Sequence, residues 1–346
     1  MSVNSKPNVA ILGATGAVGQ EFIDLIEERN FPYNELKLLA SGRSAGKQLK
    51  VNGRMYTVEE ARPESFDNVQ IALFAGGSIS KTLAPEAAKR GAVVIDNSSA
   101  FRMDPDVPLV VPEVNPEAIR EHKGIIANPN CSTIIMVMAL KPLYDRVKIR
   151  RIVVSTYQAV SGAGKEAMDE LTDQVQAIMN KQPVQANILP SASLPKHYQI
   201  AFNLLPQIDV FLEDGYTKEE MKMVHETHKI LNDYNIGITA TTIRVPVYRS
   251  HSESVNLELA GPLSVAEAKE LLAAFPGVTV QDNPAEMVYP MPLDMAGKND
   301  VAVGRIREDK SVPHGLNLWV VGDQIRKGAA LNALQIAEYM LDHQLV

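Results

Sequence analysis

The sequence is short of cysteine, with one, Cys131, in 346 residues. A lone cysteine closes no internal disulfide, so a disulfide-built fold is excluded; a reducing compartment fits, and the thiol is left free for chemistry. Positive charge is also scarce, 34 Lys and Arg against 41 Asp and Glu, a formal net charge of −7. That argues against nucleic acid as a partner, because phosphate-backbone binding calls for a basic face or stripe. Small anions remain open through local basic pockets. No apolar run is long enough to span a bilayer, and Met1 to Pro7 lacks the charged and apolar regions of a signal peptide. A cytoplasmic protein with no membrane partner is therefore expected. Internal repeats and low-complexity tracts are missing, and 45% hydrophobic with 22% charged residues gives no reason to expect an unfolded region. The length is large for one hydrophobic core, so two domains are expected.

What is there begins with alternating strands and helices. Asn8–Leu12 reads as a buried strand, Gly13-Ala-Thr-Gly-Ala-Val-Gly19 as a glycine turn, and the residues from Gln20 as a helix with apolar positions at helical spacing. Glu35–Ala40, Gln70–Ala75 and Gly91–Asp96 read as further strands, with a helix over 79–90; Lys47–Val58 reads as a hairpin turning at Asn52-Gly53. This pattern implies an α/β domain with a doubly wound, Rossmann-like parallel sheet. From Arg150 the texture changes to long strands (151–160, 238–247, 253–259) with helices over 163–180 and 265–274, an α+β domain with a largely antiparallel sheet. The expected division is 1–127 with 328–346, the amphipathic terminal helix packing back on the first domain, and 128–327 for the second.

Gly13, Gly16 and Gly19 suit a dinucleotide turn: a tight bend, close backbone approach to pyrophosphate, and close packing of helix on strand. Thr15, Ala17 and Val18 belong to the same turn. The second strand ends not in a carboxylate, which would accept bonds from the ribose hydroxyls of NAD, but in Ser41-Gly42-Arg43-Ser44, whose donors suit a 2′-phosphate. NADP is the expected cofactor.

Cys131 lies where a short apolar strand ends and a helix begins, a setting whose free N–H groups and dipole favour thiolate, the reactive form. A nucleophilic thiol with a nicotinamide implies acyl transfer to sulfur and hydride transfer at the same carbon. Five segments, Gly13–Gly19, Asn97-Ser-Ser-Ala-Phe-Arg102, Asn128-Pro-Asn-Cys-Ser-Thr133, Gln158-Ala-Val-Ser-Gly-Ala-Gly164 and Arg244-Val-Pro-Val-Tyr-Arg-Ser-His251, together resemble the aspartate-semialdehyde dehydrogenases, in order along essentially the whole chain.

The resemblance implies a family that makes aspartate β-semialdehyde from β-aspartyl phosphate with NADPH, on the route to lysine, threonine and methionine. It implies dimers or tetramers built through the second domain's sheet. Carried over by position, Cys131 is the nucleophile, His251 the acid/base and Gln158 the group orienting the acyl intermediate. Arg244 holds the substrate carboxylate, Arg102 and Lys222 the phosphate, and Glu219 the ammonium, with Glu220 the alternative if the alignment slips by one. Ser161 and Gly162 bring backbone to the nicotinamide, and Gln324, where the family more often has asparagine, returns to the cofactor. His225 and His228 share a helix face without the spacing or partners of a metal site, so no metal is expected. Two rivals remain: a reductase of N-acetylglutamyl phosphate, whose substrate has no free ammonium, and a noncatalytic NADP sensor using Cys131 as a redox switch.

Overall fold

The computed structural model describes residues 6–346; the first five, part of the Met1–Pro7 stretch read above, lie outside the described residues. The chain divides into two compact units, one of residues up to Asn130 with Ala329–Val346, the other Cys131–Gly328.

In the first unit the elements are β1 (Val9–Leu12), α1 (Ala17–Glu28), β2 (Leu36–Ala40), β3 (Gln48–Val51), β4 (Arg54–Thr57), β5 (Glu59–Glu60), β6 (Ile71–Phe74), α2 (Ser80–Lys89), β7 (Val93–Asp96) and β8 (Ile125–Ala127). The sheet runs β5-β2-β1-β6-β7-β8 with every pair parallel. Strands covered on both faces read as continuous apolar runs, as Val9–Leu12 and Ile71–Phe74 do. Phe22, Leu25 and Ile26 of α1 join the core on one face, with Leu331, Leu334 and Met340 of the terminal helix; Leu83, Ala84 and Ala87 of α2 join the core on the other. The strand order reverses between β1 and β6, which is where such sheets bind ligands, beyond the strands' carboxyl ends. The β3–β4 hairpin turns at Asn52-Gly53, both with positive φ, as the pair predicts.

The second unit contains α3 (Cys131–Val147), β9 (Ile149–Gln158), α4 (Lys165–Met179), α5 (Lys218–Leu231), β10 (Gly237–Arg244), β11 (His251–Leu259), α6 (Val265–Ala274), β12 (Val278–Val280), α7 (Pro292–Met295), β13 (Val301–Asp309) and β14 (Gly315–Gly322). Its sheet runs β10-β9-β11-β14-β13-β12. The central pairs are antiparallel, as expected, but both edge pairs, β10/β9 and β12/β13, are parallel. The long helical crossover between β9 and β10 permits this at one edge. Helix α3 covers one face: a Cβ at Gly322, the partner of His251 in the ladder, would lie 2.9 Å from Ile135. The terminal helix, α8 (Leu331–Asp342), belongs to the first unit. No described helix is long and apolar enough to cross a membrane.

Candidate active site

Cys131 is the first residue of α3 and half-buried, so its sulfur sits in the turn where backbone N–H groups have no intrahelical partner. His251, the first residue of β11, brings Nε2 to 3.4 Å from Cys131 Sγ. The residues Ser250 to Glu253, polar in sequence, are fully buried as the strand begins. The Ala159 N–H donates to His251 Nδ1 at 3.0 Å. A neutral ring that accepts at Nδ1 carries its proton on Nε2, facing the sulfur. Burial, and then the Arg244 guanidinium, push the His251 pKa down to about 3, with Glu219 pulling the other way. The ring is neutral at working pH.

Gln158 ends β9 and Arg244 ends β10, side by side in the ladder. Gln158 Nε2 donates to Ser132 Oγ and, at 3.1 Å, to Glu219 Oε1, while its buried Oε1 has no partner. Arg244 donates from Nη1 to Ala159 O at 2.7 Å and its buried Nε is unpartnered. Burial lowers its pKa, and Glu219 and Cys131 oppose the shift. The pocket thus presents one open donor on a cation and one open acceptor on an amide, beside the sulfur.

Glu219 and Lys222 do meet, at 3.0 Å, but not as an exposed helix pair: Glu219 is 6% exposed, and Asp209 joins Lys222 at 3.0 Å. Burial depresses the Lys222 pKa, yet the two carboxylates outweigh it and the net shift is upward. The neighbouring Glu220 is spent elsewhere. Its carboxylate accepts from Thr217 N–H and Thr242 N–H, closing a capping box on α5. Of the two acids, only Glu219 reaches Gln158.

Gly162 lies tight against the site: a Cβ there would stand 2.9 Å from Arg244 Nη1 and 3.4 Å from the His251 ring. Gln324 donates from Nε2 to Ser161 Oγ and accepts the Ser250 N–H at 2.8 Å, so both ends of its amide bind protein groups. In this arrangement it braces Ser161 and the residue before His251. In the first unit, Arg102 donates to Asn128 O and Asn97 O, both at 2.9 Å. Sequence reasoning missed the Ser132 hydroxyl, Asp209, the Ala159 N–H and Gly328, at which a Cβ would lie 3.0 Å from that of Cys131. Ser132 alone carried a signal, adjacency to the thiol.

The glycine turn has the geometry a pyrophosphate needs. Gly13 has φ +83°, Gly16 caps α1 without a side chain, and a Cβ on Gly19 would fall 2.1 Å from Gly13 O. Thr15 Oγ1 lies 3.2 Å from Ser44 Oγ, joining the turn to the Ser41–Ser44 loop, where Ser41, Gly42 and Arg43 are exposed. One carboxylate does reach that loop: Glu60 on β5 would touch a Cβ at Gly42, and it is held by Arg62 at 2.7 Å.

Family models described as "Semialdehyde dehydrogenase, NAD binding domain" and "Semialdehyde dehydrogenase, dimerisation domain" match residues 8–122 and 140–327. The aspartate-semialdehyde dehydrogenase of Bacillus subtilis is 55% identical over 341 residues, 98% of this chain and 99% of that protein. The chain belongs to the aspartate-semialdehyde dehydrogenase family. Within that family, the structure of enzyme II from Vibrio cholerae complexed with ASA superposes with a TM-score of 0.93 at 49% identity, over 98% of this chain and 99% of that one. The family's Candida albicans enzyme, solved with NADP, gives 0.75 at 26% identity over 99% and 100%. The matched dinucleotide-binding domain points to a nicotinamide cofactor and the matched dimerisation domain to an oligomer.

Proposed function

We propose that the chain is an NADP-dependent, phosphorylating aspartate-semialdehyde dehydrogenase. It converts L-aspartyl-4-phosphate to L-aspartate 4-semialdehyde and inorganic phosphate in the cytoplasm, for lysine, threonine and methionine synthesis. The observation that carries the reading is the Cys131–His251 pair at 3.4 Å, beside the open Nε of Arg244 and open Oε1 of Gln158. The first unit, with its turn at Gly13, Thr15, Gly16, Ala17 and Val18 and its loop at Ser41–Ser44, is the cofactor domain. The second is the catalytic and dimerisation domain.

The Cys131 thiolate attacks the acyl-phosphate carbonyl; the carbon–oxygen bond to phosphate breaks and phosphate leaves with its electron pair, attracted by Arg102 and Lys222. The thioester left on Cys131 is oriented by Gln158, with Arg244 on the α-carboxylate and Glu219 on the ammonium. The Gly13 turn of the first unit and, in the second, the Ser161-Gly162 backbone braced by Gln324 would hold NADPH, which when bound would supply the hydride for this thioester. Cys131 then departs from the tetrahedral carbon as thiolate and the aldehyde is released. Throughout, His251 donates from Nε2 to sulfur or to the oxyanion. An imidazolium would need a proton on Nδ1, which the Ala159 N–H occupies. Glu219 supports an amino-acid substrate over N-acetylglutamyl phosphate, which has no ammonium to meet it. The NADP reading rests on Ser41, Arg43 and Ser44, with Glu60 neutralised by Arg62.

Given aspartate semialdehyde, inorganic phosphate and NADP, the protein is expected to reduce NADP, and NAD more slowly; Cys131→Ala should abolish turnover. Wild-type-like turnover in that variant, or turnover indifferent to phosphate, overturns the reading.

A further inference from the structure

The inner face of the second sheet carries the active-site side chains on one rung and an unused acid on the next. Side chains on a strand alternate, so residues two apart share a face. His251 and Gln158 face α3, since they reach Cys131 and Ser132. Two residues along, β11 places Glu253 and β9 places Thr156 on that same face, directly opposite each other in the ladder, with Val320 of β14 on the other side of Glu253. Further along, Val255 pairs with Val154 and the face becomes apolar.

Glu253 is fully buried, and neither carboxyl oxygen has a hydrogen-bond partner; the Thr156 hydroxyl beside it is also buried and unpartnered. A buried polar group without a partner is costly, and a leucine or methionine would fill this place at less cost. Ion pairing does not account for the acid either, because among the described residues no cation contacts it. Burial alone holds its pKa well above the usual carboxylate range. An ionised Glu253 would set an anion two residues from His251, favouring imidazolium at a ring whose Nδ1 must stay a proton acceptor.

We infer that Glu253 is a positioning residue of this site: an uncharged carboxylic acid that, with the Thr156 hydroxyl, binds buried water on the rung beneath His251 and Gln158 and so fixes their spacing from Cys131. A buried water typically makes about three hydrogen bonds to otherwise unsatisfied polar groups, and the two carboxyl oxygens and one hydroxyl supply that number. The inference rests on the reading of Cys131 and His251 as the reacting pair.

The test uses the full-length enzyme, Glu253→Gln and Glu253→Met, with phosphate-dependent NADP reduction, infrared difference spectra and thermal unfolding measured on each. The wild type should show a protonated-carboxyl C=O stretch at neutral pH that disappears in Glu253→Gln. Glu253→Gln, neutral and able to hold the same water, should keep kcat within about threefold. Glu253→Met should fold and keep KM but lose about tenfold or more in kcat, since a misplacement of about 1 Å at a reacting pair costs up to about a hundredfold. Absence of the band, wild-type kcat in Glu253→Met, or equal damage in both variants overturns the inference. A wild type without phosphate-dependent turnover overturns instead the functional reading, and leaves the infrared result standing on its own.

Discussion

Arg244→Lys tests how the substrate carboxylate is held. Nη1 is already committed to Ala159 O at 2.7 Å, which leaves the edge bearing Nε to receive the ligand. Lysine keeps the charge but has no such edge, and its ammonium must divide itself between the carbonyl and the carboxylate. One charge-assisted hydrogen bond is lost, about 2 kcal/mol. That corresponds to roughly a thirtyfold fall in kcat/KM for aspartate semialdehyde. The control is 3-aminopropanal, the same aldehyde without the carboxylate: wild type should use it poorly, and Arg244→Lys should use it as well as wild type does. Equal losses on both aldehydes would mean that the variant disturbs the pocket generally, and no loss on either that Arg244 does not touch the carboxylate. Either result refutes the assignment.

The His251 pKa, near 3 when folded against about 6.5 for an unfolded histidine, means that the unfolded chain binds the extra proton between those pH values. Stability therefore rises with pH across that window and is lost on acidification, by about 2 kcal/mol at pH 5. Denaturant midpoints at pH 7.5 and 5 should show this loss in wild type and less of it in His251→Gln; identical pH dependence would contradict it. Gly162→Ala puts a methyl 2.9 Å from a guanidinium nitrogen that is already fixed by a hydrogen bond. Overpacking of this kind costs about 1–3 kcal/mol, and kcat/KM should fall about tenfold or more; unchanged kinetics would show that the loop yields.

Much of this was legible because local pattern and tertiary role coincide. The Gly13–Gly19 turn was readable from its glycine spacing together with its place between a strand and a helix, and the structure adds a positive φ at Gly13 and steric exclusion of a side chain at Gly19. Strands β9, β10 and β11 of the second sheet were readable as strands, but β13 and β14 were not, nor was the parallel pairing of its edges, which depends on where a crossover returns the chain. Asp209 and Lys222 meet across thirteen residues with no periodicity to link them. Gln324 illustrates a different limit. The resemblance implies a cofactor contact for it, but only coordinates show that both ends of the amide are engaged, by Ser161 and by the Ser250 N–H. Nothing local announces the burial of the Ser250–Glu253 run, whose side chains are polar, because the centre of a sheet buries whatever lies on it.

Glu219 and Glu220 are adjacent, identical in chemistry and almost equally buried. One lends its charge to the pocket, and the other fastens the first turn of the helix that presents it. A substitution survey scored by activity would rank the two together, since unwinding that turn would also withdraw Glu219 and Lys222 from Gln158 and Asp209. The losses would differ in kind. Excess substrate should partly restore a variant of Glu219, whereas a variant of Glu220 should respond to lower temperature, as an enzyme does when its fold rather than its binding has been weakened.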